Sequence, residues 1–97
     1  MNSNSKSKQL NEMIQISKAL SNPIRIEILN LVKDRISLNQ TELSIHLNMN
    51  LSHVHTHVAS LRRSNLITLD FIKGIGFLNL NDEKLNEYSQ WLNKFAS

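Results

Sequence analysis

The apolar period of this chain changes from helical to alternating between Leu61 and Ile67, and that change limits what it can fold into. Leu51, Val54, Val58 and Leu61 recur at i, i+3, i+7 and i+10, the buried stripe of a helix. Ile67, Leu69 and Phe71 then alternate with Thr68 and Asp70, the period of a half-buried strand. Lys73-Gly74-Ile75-Gly76 supplies turn chemistry, and Phe77 to Leu80 reads as the return strand. A helix running directly into a β-hairpin is therefore expected, with Asn65 as the left-handed residue at the helix end.

Upstream the pattern is helical. Leu10, Met13, Ile14, Ser17 and Leu20 form one stripe. Asn22 is placed to cap a second helix, with Pro23 at its first position, where a missing N–H costs nothing. Ile24, Ile28, Leu31 and Val32 are its inner face, and Arg25 and Glu27 lie outside it. Residues 34–38 read as a connector. Asn39 and Glu42 form a capping box for a short helix that buries Leu43 and Leu47. Asn48-Met49-Asn50 is a turn without glycine, and Asn50 is expected to cap the longer helix after it. Asn81 suits the cap of a last helix, with Asp82 and Glu83 at its positive end and Lys94 at the other.

The expected fold is mainly α with a β-hairpin wing, in the order helix, helix, helix-turn-helix, wing, helix. Residues 1–8 are Ser, Asn and Lys without periodicity after Met1, and read as a disordered, weakly basic arm. Residues 9–97 read as one winged helix-turn-helix domain. A chain of 97 residues, 40% of them hydrophobic, makes one small domain with a thin stability margin, so a second copy is expected. Its seam would use Leu10, Met13 and Ile14 from the first helix and Leu85, Tyr88, Leu92 and Phe95 from the last, with Trp91 beside them.

The chain has no Cys, which excludes disulfides, thiolate metal sites, a Cys nucleophile and thiol redox sensing. Two glycines exclude a Gly-rich phosphate loop. No apolar run approaches a membrane span, and no signal-type core follows the first residues, so a cytoplasmic, nucleoid-associated protein is expected.

The face of the longer helix opposite its apolar stripe carries Ser52, Thr56, Ala59 and Arg63, with His53, His55, Ser60 and Arg62 on its flanks. It holds no acid. From Leu51 to Leu80 the cations Arg62, Arg63 and Lys73 stand against the single acid Asp70. Small polar groups near a helix start can enter a DNA groove, and cations near its end can reach phosphates. The expected DNA-binding residues are Leu51, Ser52, His53, His55, Thr56, Arg62, Arg63 and Lys73. The alternative is an ordinary solvated helix face.

Lys18-Ala19-Leu20-Ser21-Asn22-Pro23-Ile24-Arg25-Ile26-Glu27-Ile28-Leu29 resembles the opening signature of the ArsR-type winged-helix repressors. Glu42-Leu43-Ser44 to Leu47, and Ser52-x-Val54-x-x-His57-x-x-x-Leu61-Arg62-x-x-x-Leu66-Ile67, are similar to that family's helix-turn-helix and wing entry. The resemblance spans residues ~10–96. It implies a prokaryotic or viral homodimer that joins through its first and last helices and represses transcription from a palindromic operator.

The chain departs from the family in three places. Asn39-Gln40-Thr41 stands where metal-sensing members often carry Cys-x-Cys, and no His lies between Asp82 and Phe95, where a second metal site would need one. Leu51-Ser52-His53-Val54-His55-Thr56 replaces the family's usual run at the groove-reading position. The wing, Phe71 to Phe77, holds a single cation where the family is usually rich in Arg.

No cofactor and no resident metal are expected. His53, His55 and His57 would share a face only on a strand, and the helical stripe excludes a strand here. On a helix only His53 and His57 align, which leaves a His-based metal-responsive repressor as an alternative. His57 falls at the edge of the buried face, where a hydrogen bond is expected. No catalytic residue is expected either, since Ser52-His53 lies on an open helix face without a third group. A further alternative is an interaction module that binds a protein partner through the apolar wing residues Ile72, Ile75 and Phe77.

Overall fold

A computed structural model describes residues 2–35 and 37–96, with the exposure of N-terminal side chains from Lys6 on. Its helices are α1 (Asn2–Leu20), α2 (Pro23–Asp34), α3 (Gln40–Leu47), α4 (Leu51–Arg63) and α5 (Asp82–Asn93). Its strands are β1 (Leu38–Asn39), β2 (Ile67–Ile72) and β3 (Ile75–Leu80). The element order is the expected one, with two differences. α1 begins at Asn2, so residues expected to form a disordered arm are helical, Met1 lying outside the described residues. The expected connector ends in a strand, because Leu38 and Asn39 pair antiparallel with Leu78 and Phe77. The hairpin is thereby widened to a three-stranded sheet in the order β1-β3-β2.

Local side-chain chemistry sets most boundaries. Asn22 Oδ1 accepts from the Ile24 N–H at 2.9 Å and opens α2. At α3 the Glu42 N–H donates to Asn39 Oδ1 at 2.9 Å, and the Asn39 N–H donates back to Glu42 Oε1 at 3.1 Å. Asn81 caps α5 through the Lys84 N–H. Asn50 differs from expectation: it occupies the cap position of α4, but its side chain makes no cap bond. Asn48 (φ 49°) turns α3 into α4, and Asn65 (φ 63°) ends α4, both in the left-handed region that Asn tolerates. The hairpin turn is shorter than expected. Ile72 pairs with Ile75, so only Lys73 (φ 52°) and Gly74 (φ 82°) make it, both at the positive φ of a type I′ turn.

The core forms where α1, α2, α3 and α4 meet the inner face of the sheet. Met13, Ile16, Ile28, Leu43, Val54, Val58, Leu61, Leu66 and Ile67 are fully buried there. Leu85, Tyr88 and Trp91 of α5 pack on it as half-buried side chains. Lys84 links α5 to α1 at the surface, 3.1 Å from Glu87 and 3.5 Å from Glu12. That pairing, with the Glu87 hydrogen bond first, raises the Lys84 pKa.

Candidate nucleic-acid interface

α4 is held from beneath. Val54, Val58 and Leu61 are buried, so the helix has one possible orientation about its axis. Leu51, at the mouth of that stripe, is 39% exposed rather than enclosed. Ser52, His53, His55, Thr56, Arg62 and Arg63 are all exposed, and so is Lys73 at the tip of the hairpin. Seven of the expected DNA contacts are therefore exposed positions of a single helix, spread over more than one of its faces, and the eighth is exposed on the wing that follows it. The first turn of α4 has no acid and no side-chain cap, and its last turn carries Arg62 and Arg63. The nearby acid, Asp70, accepts from Asn79 Nδ2 at 2.7 Å within the hairpin.

Two side chains on α4 have internal partners. The Thr56 hydroxyl donates to the Ser52 carbonyl at 3.1 Å, which commits its proton and leaves its oxygen to accept from a ligand. His57 Nδ1 accepts from Arg25 Nε at 3.2 Å, the hydrogen bond expected for this residue. Burial, then the charges of Arg25 and His53, push its pKa below the ordinary value. Arg25 was expected outside the α2 face; it is half-buried between α2 and α4 and was not singled out by sequence. Among the described residues no group of three or more His, Cys, Asp or Glu could hold a metal ion.

The expected dimer residues divide. Leu10, Ile14, Leu92 and Phe95 are exposed, Phe95 by 73%. Met13 is a correction: it is fully buried in its own protomer's core, where no partner can reach it. Ile16, three residues on, was missed and is as deeply buried. Leu85, Tyr88 and Trp91 face inward enough to be half-buried. Trp91 stacks on Tyr88 with centroids 6.1 Å apart and meets Phe95 edge-on at 5.3 Å, an aromatic run that leads from the core to the surface. On the wing Ile72 and Ile75 are exposed and Phe77 is half-buried.

Residues 21–68 match the family model for winged helix-turn-helix DNA-binding domains. No curated protein sequence matches the chain. Among solved structures, an ArsR-like transcriptional regulator from Rhodococcus is 19% identical with a TM-score of 0.79, over 90% of this chain and 81% of that one. HlyU from Vibrio cholerae is 26% identical with a TM-score of 0.69, over 100% of both chains. The homodimeric winged helix-turn-helix domain of Mb0332 from Mycobacterium bovis, a possible ArsR-family regulator, is 16% identical with a TM-score of 0.77, over 94% of this chain and 84% of that one.

Proposed function

The chain carries, over residues 21–68, a winged helix-turn-helix DNA-binding domain set in a fold of the ArsR type, and from that premise we propose that it is a homodimeric transcriptional repressor. The observation that carries this reading is the acid-free outer face of α4, held open by the buried Val54, Val58 and Leu61. Residues 9–97 act as one unit for DNA binding and dimerisation. Ser52, His53, His55 and Thr56 read base edges in the major groove, with Leu51 against the groove wall. Arg62, Arg63 and Lys73 neutralise phosphates. Leu10 and Ile14 of α1 with Leu92 of α5 and Phe95 just beyond it form the seam. The homodimeric state of the Mycobacterium bovis neighbour supports a second copy. Two copies related by a two-fold axis present two α4 helices, which fits a palindromic operator in the nucleoid.

Salt dependence tests the reading. Three cations from each of two protomers release counterions on binding, so affinity for duplex DNA falls roughly 10³-fold between about 50 and 200 mM salt. An affinity that barely changes over that range removes the proposal.

A further inference from the structure

Arg25 sits where three helices meet. It belongs to α2, its Nε donates to His57 Nδ1 on α4 at 3.2 Å, and its Nη1 reaches the carbonyl of Ala19 on the last turn of α1 at 3.5 Å. A guanidinium cannot give up its proton in a protein, so this contact exists only while Nδ1 of His57 is a free acceptor and the ring proton lies on Nε2. We propose that Arg25 is a positioning residue for DNA recognition, which holds α4 against α2 through neutral His57, and that protonation of His57 releases α4 and lowers discrimination between operator and unrelated DNA.

Through Arg25 the helix that meets DNA is joined to α2 and, by the Ala19 carbonyl, to the end of α1, the helix that carries Leu10 and Ile14 of the proposed seam, and so the inference rests on the function proposed above. Protonation would set two cations 3.2 Å apart in a half-buried space, where water screens them poorly. The charged groups that act on His57 are Arg25 from α2 and His53 one turn back on α4 itself. α1, α3 and β2 also pack on α4, but among the described residues Arg25 and His53 are the charged groups that shift the His57 pKa. Both acting groups oppose a charge on His57, as burial does. Losing the bond frees α4 to shift on α2, and half-sites read by two α4 helices tolerate little displacement. Binding to phosphates, which depends on charge rather than register, is not lost in the same way.

The test compares affinity for a duplex selected from a random pool with affinity for an unrelated duplex, at pH ~7.5 and ~5.5 and one ionic strength. The ratio of the two falls about tenfold in the wild type on acidification, the size expected for one charge-assisted hydrogen bond. His57→Gln retains an amide oxygen to accept from Arg25 but cannot titrate, so its ratio falls clearly less on acidification than the wild type's. Arg25→Ala has a lowered ratio already at pH ~7.5, and its further fall on acidification is likewise smaller than the wild type's. Circular dichroism confirms that each variant is folded; should Arg25→Ala not fold, the His57→Gln profile decides alone. His53 and His55 are unchanged in both variants, so a difference from the wild type is assigned to the Arg25–His57 pair. A wild type that binds no duplex at either pH overturns both this inference and the function it rests on. A wild-type ratio that is flat, or a His57→Gln ratio that falls as the wild type's does, overturns this inference alone.

Discussion

The hydroxyls of Ser17 on α1 and Tyr88 on α5 lie 2.8 Å apart, a hydrogen bond between the first and last helices within one protomer. Tyr88 was expected in the seam between protomers; its polar end is instead committed to its own chain. Ser17 also donates to the Met13 carbonyl at 2.9 Å, so it keeps a partner when Tyr88 is changed. Tyr88→Phe therefore costs about 1 kcal/mol, a fall in Tm of roughly 4–8 °C for a domain of this size. Thermal unfolding checks it, and an unchanged Tm means that the bond does not hold α5 to α1.

The dimer prediction now falls on the exposed members of the two stripes. Leu92→Glu places a charge at an exposed position of α5, three residues before the exposed Phe95. Sedimentation at micromolar concentration is expected to show a dimer for the wild type and a folded monomer for the variant. A wild type that sediments as a folded monomer contradicts the seam.

Stability should depend on His57 with a definite sign. The folded state holds its pKa below the ordinary value of about 6.5, so the unfolded chain binds more protons in that interval. Its contribution is fully present above pH ~6.5 and is lost as pH falls from there through the lower folded value. Urea unfolding between pH ~7.5 and ~5 is expected to show this loss, and His57→Gln to reduce it. A wild-type stability that rises on acidification over that range has the wrong sign for this account.

Lys73 sits at φ 52°, a left-handed position that asparagine or glycine fills with less strain in a two-residue hairpin turn. It is also the wing's cation. Lys73→Asn should raise stability by up to about 1 kcal/mol while it weakens binding to all DNA sequences and lowers the salt slope by about one unit per protomer. If the variant gains stability and loses no affinity, Lys73 does not touch the phosphate backbone.

What sequence revealed was mostly local. The caps at Asn22, Asn39 and Asn81 and the turn at Asn65 join side chains to backbone groups within three residues or to their own φ, so they are legible from neighbours alone. The stripe of α4 was legible because its period is long enough to fix a face. The parts that were missed depend on distant partners. β1 is two residues long and exists by pairing with β3, far along the chain. The same holds for Arg25, whose partner His57 lies on another helix. On α1, Leu10, Met13 and Ile14 share a stripe, and which of them enters the core is decided by where α2, α4 and α5 pack. Asn50 has the residue type of a cap without the bond, because type permits a cap and geometry makes it.

The central claim is that α4 reads sequence in duplex DNA as one half of a two-fold pair. Selection of bound duplexes from a random pool at physiological salt tests it most directly. The account predicts enrichment of an inverted repeat whose half-sites are centred about 10–10.5 base pairs apart, or a multiple of that, with base preferences that change at particular positions in Thr56→Ala and His55→Ala. A pool that emerges without any enriched sequence, or with one that both variants select unchanged, contradicts it.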